Sequence, residues 1–128
     1  MMRTFPALLA AAVTLLSPAA LADAGRPPQG KYRCYQPPDY AVLAWFEITA
    51  DGVRIDGGDP LRFAFDAKAR RIDWPTQDLA PYRHGFFFPS GTAGGDAERT
   101  TIVLARQRTA QPGQTGWDRL PRCYLTTH

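Results

Sequence analysis

Several residue types that commonly carry catalysis are missing or rare in this sequence. The chain of 128 residues contains no asparagine, two histidines and two cysteines, and Ser90 is its single serine after residue 22. Ser90 lies outside a nucleophile-elbow pattern, and a serine triad would have to combine it with His84 or His128. We therefore expect a protein without enzymatic activity. An enzyme that uses His84 with nearby acids is the less favoured alternative.

Lysine is scarce as well, with only Lys31 and Lys68, so arginine supplies nearly all of the positive charge. The 15 basic and 12 acidic residues are interspersed, and the formal net charge is +3. The longest basic run is the pair Arg70-Arg71. Because nucleic-acid-binding domains carry a basic patch or stripe, we expect no nucleic-acid partner.

Metal ligands are few in the sequence. Two histidines, and cysteines that we expect to be paired, leave too few nitrogen and sulfur ligands for zinc. The segment Asp56–Asp59 (DGGD) could offer two carboxylates to calcium, but it lacks the ligand spacing of an EF-hand loop. Glycine and aspartate are also residues that tight turns favour. We therefore interpret the segment as a turn and expect neither a metal nor a cofactor.

The sequence has one extended apolar run, residues 7–16, which a proline follows two positions later. A small-x-small pattern at 20–22 is typical of signal-peptidase sites. We predict that residues 1–22 are a signal peptide, cleaved between Ala22 and Asp23. The run is too short to span a bilayer, and no cysteine follows the cleavage site as a lipoprotein would require. We thus expect a monomeric periplasmic or secreted protein without a membrane span.

Removing 22 of the 128 residues leaves 106, the size of one domain. We predict a flexible leader at 23–29, which has no apolar period, and a single β domain at 30–128. Cys34 lies in the first strand-like segment and Cys123 in the last one. Two cysteines in an oxidising compartment favour a disulfide, with two buried free thiols as the alternative. Closing so long a loop stabilises the fold by about 4–5 kcal/mol as an upper figure.

Segments with alternating polar and apolar residues recur along the chain, separated by turn residues. Gly30–Gln36 alternates cleanly, and Asp51-Gly52 is a strong hairpin signal between two such segments. The clearest alternation is in 61–66, which we expect to form a hairpin with 71–74. No window sustains a helical period. We predict an all-β fold, a small antiparallel β-barrel or sandwich of seven to eight strands, with the first and last strands joined by the disulfide.

The segment 82–88 contains the candidate ligand site. His84 is the one internal side chain that ordinarily titrates near neutral pH, and with Tyr82 and Arg83 it forms a polar trio beside an aromatic run. We predict a ligand-binding surface made of Tyr82, Arg83, His84 and Phe86. The alternative is a structural histidine held by hydrogen bonds. At least one of the three consecutive phenylalanines that begin at Phe86 must face something other than solvent, either core or a binding surface.

Two further groups of side chains have both a structural and a functional interpretation. The tryptophans Trp45, Trp74 and Trp117 could form a platform for carbohydrate or peptide, although most tryptophans of a small domain lie in its core. Asp66 and Asp73 flank the predicted hairpin and could act as paired acids, although solvated carboxylates at strand ends are more common. We expect a non-catalytic binding domain that takes a protein or a small ligand in the periplasm or cell envelope.

Tyr32–Cys34 (YRC) near the start and Cys123–Leu125 (CYL) near the end resemble the pattern that brackets the periplasmic C-type lysozyme inhibitor family. Members of that family are small secreted eight-stranded barrels. The resemblance implies the same architecture here, and a protein inhibitor of a hydrolase such as lysozyme is the alternative function. The inhibitory loop of the family, Ser-Gly-x-Lys/Arg-Tyr, has no counterpart, since the one Ser-Gly pair, Ser90-Gly91, precedes TAG. No inhibitory residue is therefore assigned.

Overall fold

The computed structural model describes residues 25–127, so the predicted signal peptide and its cleavage site between Ala22 and Asp23 lie outside the described residues. Eight antiparallel strands form one sheet that curls into a barrel-like shape, which confirms the all-β prediction. A single-turn 3₁₀ helix, Trp117–Arg119, lies between the last two strands. The strands are β1 (Gly30–Gln36), β2 (Ala41–Ile48), β3 (Val53–Ile55), β4 (Ala64–Asp66), β5 (Arg71–Asp73), β6 (His84–Phe88), β7 (Thr101–Ala105) and β8 (Arg122–Thr127).

The first and last strands are neighbours in the sheet, whose strand order is β3-β2-β1-β8-β7-β6-β5-β4. Cys34 lies directly opposite Cys123 in this pair of strands, and the two side chains form a disulfide. Both cysteines are fully buried, and residues 25–127 contain no free cysteine. The predicted disulfide between the first and last strands is therefore confirmed.

The two edge strands of the sheet are β3 and β4. An isolated bridge between Val53 of β3 and Leu61, which precedes β4, links the two edges. Val53 N donates to Leu61 O at 2.7 Å, and Leu61 N donates to Val53 O at 2.8 Å. The predicted strand at 61–66 is wrong in its extent, because its first residue bonds to β3 while only Ala64–Asp66 pairs with β5. Arg62 and Phe63 lie between the two pairings and belong to neither, so the segment is interrupted there. The predicted hairpin with 71–74 does form, through Arg71–Asp73.

The sheet buries apolar side chains on both of its faces. The larger cluster, here called the inner core, is enclosed by the curled sheet and includes Tyr32, Phe46 and Phe87. A smaller outer cluster consists of Phe86, Val103, Ala105 and Trp117. Since consecutive strand residues point to opposite faces, β6 and β7 contribute to both clusters in alternation. All five residues of β7 are buried as a result.

The described part of the predicted leader, residues 25–29, lies against the domain. Pro27 is buried, and the Tyr32 hydroxyl donates a hydrogen bond to Pro28 O at 2.7 Å. Burial raises the pKa of the Tyr32 hydroxyl above its ordinary value, so this donor keeps its proton. The start of the described chain is thereby tied to β1.

Candidate ligand-binding cleft

A cleft of about 570 Å³ lies where β5 ends and β6 begins. The connection between these strands, residues 74–83, supplies most of its wall. The wall combines apolar side chains with a few polar ones. The lining residues are Asp73, Trp74, Pro75, Thr76, Gln77, Ala80, Pro81, Tyr82, Arg83 and His84.

Hydrogen bonds fold the connection back on itself and give the cleft a defined wall. Trp74 N donates to Arg83 O at 3.1 Å, which continues the pairing of the two flanking strands. Ala80 N donates to Gln77 O at 2.8 Å and closes a turn within the connection. Leu79 is buried in the inner core and anchors this turn from below. The wall is therefore held both by backbone bonds and by a buried side chain.

A short hydrogen bond holds His84 at one side of the cleft. His84 Nδ1 lies 2.7 Å from Asp73 Oδ1, because these residues are direct cross-strand partners of β6 and β5. Arg71 Nε donates to the same carboxylate oxygen at 3.0 Å. Burial raises the pKa of Asp73, but the interactions with Arg71 and His84 lower it by a larger amount. The pKa of Asp73 is therefore below its ordinary value. Asp73 is therefore ionised at neutral pH and orients the imidazole.

Asp66 and Asp73, which the sequence offers as possible paired acids, are separated by Arg71. Asp66 Oδ2 lies 3.8 Å from Arg71 Nη2, and Arg71 also bonds to Asp73. Asp66 Oδ1 additionally accepts hydrogen bonds from the backbone of Lys68 and Ala69 in the following turn. Both carboxylates thus contact Arg71, which lies between them.

Tyr82 links the cleft to the end of β1. Its hydroxyl donates to Gln36 Oε1 at 3.5 Å, and Gln36 Nε2 donates to Arg119 O at 2.8 Å. The Arg106 guanidinium lies 5.8 Å from the centre of the Tyr82 ring. Tyr82 therefore connects the cleft wall with the end of β1 on one side and with an arginine on the other.

Trp74 forms the buried part of the cleft wall and is 8% exposed. Its ring packs edge-on against Phe46, with ring centres 5.1 Å apart. Gly85 lies beneath it, so close that a Cβ at this position would be 2.7 Å from the Trp74 ring. The indole Nε1 is buried and has no hydrogen-bond partner among residues 25–127. A buried donor without a partner costs about 1–3 kcal/mol, so this atom is an uncompensated feature of the fold.

The structure brings together three of the four residues predicted to form the ligand site. Tyr82, Arg83 and His84 line the cleft, and the hydrogen bond to Asp73 also agrees with the alternative of a histidine held in place. Phe86 does not line the cleft, because it points to the outer cluster, where its ring centre is 6.3 Å from that of Trp117.

Sequence reasoning missed two features of the cleft. It did not pair Asp73 with His84, although an antiparallel pairing of 71–73 with 84–86 would have placed them opposite each other. It also did not place Trp74 in the wall. Gly85, a glycine inside an aromatic strand, was the available signal for a close approach of a large side chain.

The remaining candidates have structural roles. Trp74 and Trp117 are buried, while Trp45 is half-buried beneath Lys31, whose Nζ lies 4.7 Å from the ring centre. Asp56–Asp59 forms a turn in which Gly58 N donates to Ile55 O at 3.0 Å. Between residues 25 and 127, no group of three or more His, Cys, Asp or Glu side chains is placed to hold a metal ion. Over the same range no helix has the length and apolar character needed to cross a membrane.

Comparison of the chain with protein-family models, with curated proteins and with solved structures gave no match. Any assignment of function therefore depends on the geometry and chemistry of the molecule itself.

Proposed function

We propose that this protein is a non-catalytic binding domain of the periplasm or cell envelope and that its ligand occupies the cleft between β5 and β6. One observation carries the proposal. A cleft of about 570 Å³ brings the polar side chains of Tyr82, Arg83 and His84 together with apolar side chains. Small-molecule sites are typically concave, mainly apolar and about 300–1,000 Å³ in volume, with a few polar groups that fix orientation.

The side chains around His84 support binding in preference to catalysis. His84 and Asp73 form the histidine–carboxylate part of a triad, which would need a serine or cysteine nucleophile nearby. Both cysteines are in the disulfide, and Ser90 is not among the cleft-lining residues. The hydrogen-bonded His84 is then a fixed polar contact for a ligand. The disulfide itself supports a location outside the cytoplasm, because such bonds persist in oxidising compartments.

The proposal is tested by ligand screening with the purified protein. Thermal-shift and NMR screens against soluble glycans, peptides and metabolites should yield a ligand that shifts the resonances of cleft residues. We expect His84→Ala to weaken its binding by at least about tenfold. Arg54→Gln is the matched control, because Arg54 is exposed on β3 and lines no part of the cleft. A substrate that wild-type protein turns over and His84→Ala does not would contradict the proposal and support the enzyme alternative.

A second candidate function is inhibition of a hydrolase such as lysozyme, and the exposed apolar side chains of one hairpin favour it. Tyr40, Val42 and Leu43 are 51%, 63% and 46% exposed at the β1–β2 turn and the start of β2. Tyr40 also lines a pocket of about 260 Å³ with Arg99 and Tyr124, whose guanidinium and ring are 3.9 Å apart. Tyrosine and arginine are enriched at the energetic centres of protein interfaces.

Inhibition is tested by a lysozyme activity assay with an excess of the purified protein. If the hairpin docks on the enzyme, Val42→Ser should relieve the inhibition while His84→Ala leaves it unchanged. Full lysozyme activity in the presence of the wild-type protein would reject this candidate. The two variants also separate the functions, because each one alters a different surface.

A further inference from the structure

The unused hydrogen-bonding capacity of the cleft consists mainly of donors. The exposed Arg83 guanidinium lines the cleft and forms no ion pair or side-chain hydrogen bond with any residue in 25–127. The exposed Gln77 amide adds two more donors beside its single oxygen. A ligand that satisfies these groups must itself present acceptors.

The one carboxylate that lines the cleft already has its charge offset by an arginine. Asp73 Oδ1 accepts from Arg71 Nε at 3.0 Å and lies 2.7 Å from His84 Nδ1. Asp78, the acid of the connecting loop, is exposed but is not among the lining residues. Asp73 Oδ2 has no partner within 25–127, but a cationic ligand would find no carboxylate on the wall whose charge an arginine does not already offset.

A second unpaired cation lies beside the cleft. Arg106 is exposed, has no ion-pair partner within 25–127, and places its guanidinium 5.8 Å from the centre of the Tyr82 ring. Arg83 N donates to Ala105 O at 3.0 Å, so the backbones of the two arginines run next to each other. Guanidinium groups match the geometry of a carboxylate because two parallel N–H groups can donate to its two oxygens.

From this inventory we infer that the cleft takes an organic acid. The apolar body of the acid lies against Trp74, Pro81 and Tyr82, and its carboxylate binds Arg83. The inference rests on the proposed function, because it names the ligand class of the same cleft. Beyond the proposed function, the inference states that the negative charge of the ligand decides its affinity, so that a neutral molecule of the same shape binds less well.

The test compares acids with their neutral amides. Phenylacetate and phenylacetamide form one pair, and cyclohexanecarboxylate and its amide form another, each titrated into ¹⁵N-labelled protein. Backbone resonances of 74–84 and the indole N–H resonance of Trp74 report on the cleft. We expect the acids to bind about tenfold more tightly than the amides in wild-type protein, with less preference at high salt. In Arg83→Gln the preference should fall to about twofold or less, and in the control Arg54→Gln it should persist.

The outcomes separate the ligand class from the proposed function. If acid and amide shift the cleft resonances with equal affinity, the inference of an organic acid is overturned and cleft binding is retained. If neither member of either pair shifts the cleft resonances at millimolar concentration, cleft binding is contradicted as well. A preference for the acid that survives in Arg83→Gln would also overturn the inference, because the carboxylate would then bind elsewhere. Since Arg83 is exposed and unpaired, its substitution leaves the fold intact, and an unchanged melting temperature verifies this.

Discussion

The two halves of the sheet differ in how they are built. The seam half, made of β3, β2, β1 and β8, contains the disulfide, and its strands have six to eight residues apart from the three-residue edge strand β3. The cleft half, made of β7, β6, β5 and β4, has strands of only three to five residues. Its connection 74–83 is held by turns and a buried leucine instead of a strand ladder. The candidate ligand site therefore lies among the shorter strands of the sheet.

This difference in strand length indicates that one half of the sheet stabilises the fold while the other half holds the candidate ligand site. Long paired strands and a covalent bond give a frame that is costly to open. Binding residues are commonly placed on connections that a rigid frame positions, and such segments are drawn from the less stable parts of a protein. The comparison makes four predictions, which probe the two halves in turn.

The largest effect is expected from the disulfide. Replacing both cysteines, Cys34→Ala with Cys123→Ala, should lower the free energy of unfolding by about 2–5 kcal/mol, because the unfolded chain regains the freedom of an 89-residue separation. Urea denaturation of the variant and of the oxidised wild-type protein measures the difference. Reduced wild-type protein is the control, since it loses the bond without losing the sulfur atoms. A loss below about 1 kcal/mol would show that the seam half depends on its strand pairing alone.

The next effect concerns the cleft half and the contact of Gly85 with Trp74. Gly85→Ala would place a Cβ 2.7 Å from the Trp74 ring and 2.9 Å from Ile102. Overpacking of this kind should lower stability by about 1–3 kcal/mol and move Trp74, which changes its fluorescence. Gly25→Ala is the matched control, because its Cβ would make only an ordinary contact at 3.6 Å. Equal melting temperatures for the two variants would contradict the close packing of Trp74.

A smaller effect on stability is expected from the hydroxyl of Tyr32, which lies on β1 in the seam half. Tyr32→Phe removes the hydroxyl that donates to Pro28 O at 2.7 Å, and we expect a loss of about 0.5–1.5 kcal/mol. Amide exchange at residues 25–31 should become faster at the same time. Tyr40→Phe is the control, because Tyr40 is half-exposed and its hydroxyl has no partner among residues 25–127. Unchanged exchange in Tyr32→Phe would mean that this bond does not hold the start of the chain.

The smallest effect is the dependence of stability on pH through Asp73. Its pKa is lower in the folded protein than in the unfolded chain, so the carboxylate stabilises the fold above about pH 4, the ordinary value for aspartate. This contribution is lost as the pH falls through the lowered folded value. Because the side chain is 41% exposed, we expect less than about 1 kcal/mol.

The comparison of Asp73→Asn with wild type isolates this contribution. Melting temperatures should differ at neutral pH and converge in strong acid, since only the wild type loses a charge there. Asp59→Asn is the matched control, because Asp59 is exposed and forms no hydrogen bond or ion pair in the described chain. A difference that stays constant down to strong acid would contradict the role of the Asp73 carboxylate.

The sequence predicted the seam half better than the cleft half, for a physical reason. The alternation in Gly30–Gln36 and the Asp51-Gly52 turn are local signals, and β1 and the β2–β3 hairpin follow from them. Leu61 begins a segment whose alternation is typical of a strand. Its pairing with Val53, however, depends on how the whole sheet curls. No local pattern records that curl.

The same distinction explains the cleft. Tyr82, Arg83 and His84 adjoin one another in the chain, so their grouping could be predicted from the sequence. The contacts of Asp73 with His84 and of Trp74 with Gly85 depend on strand register, which is fixed only when β5 and β6 pair. Phe86 does not line the cleft, because it faces the outer cluster. Both faces of β6 are buried, so its sequence has no alternation of apolar and polar residues that could predict which face each phenylalanine occupies.

The bridge between Val53 and Leu61 also bears on how copies of this protein meet at high concentration. An open sheet can grow when a strand of a neighbouring molecule adds to its free edge, which is the first step of fibre formation. Here each edge strand has three residues, and the amide and carbonyl of Leu61 are already taken by Val53. A neighbouring molecule finds little backbone to pair with, so we expect the fold to resist edge-to-edge polymerisation.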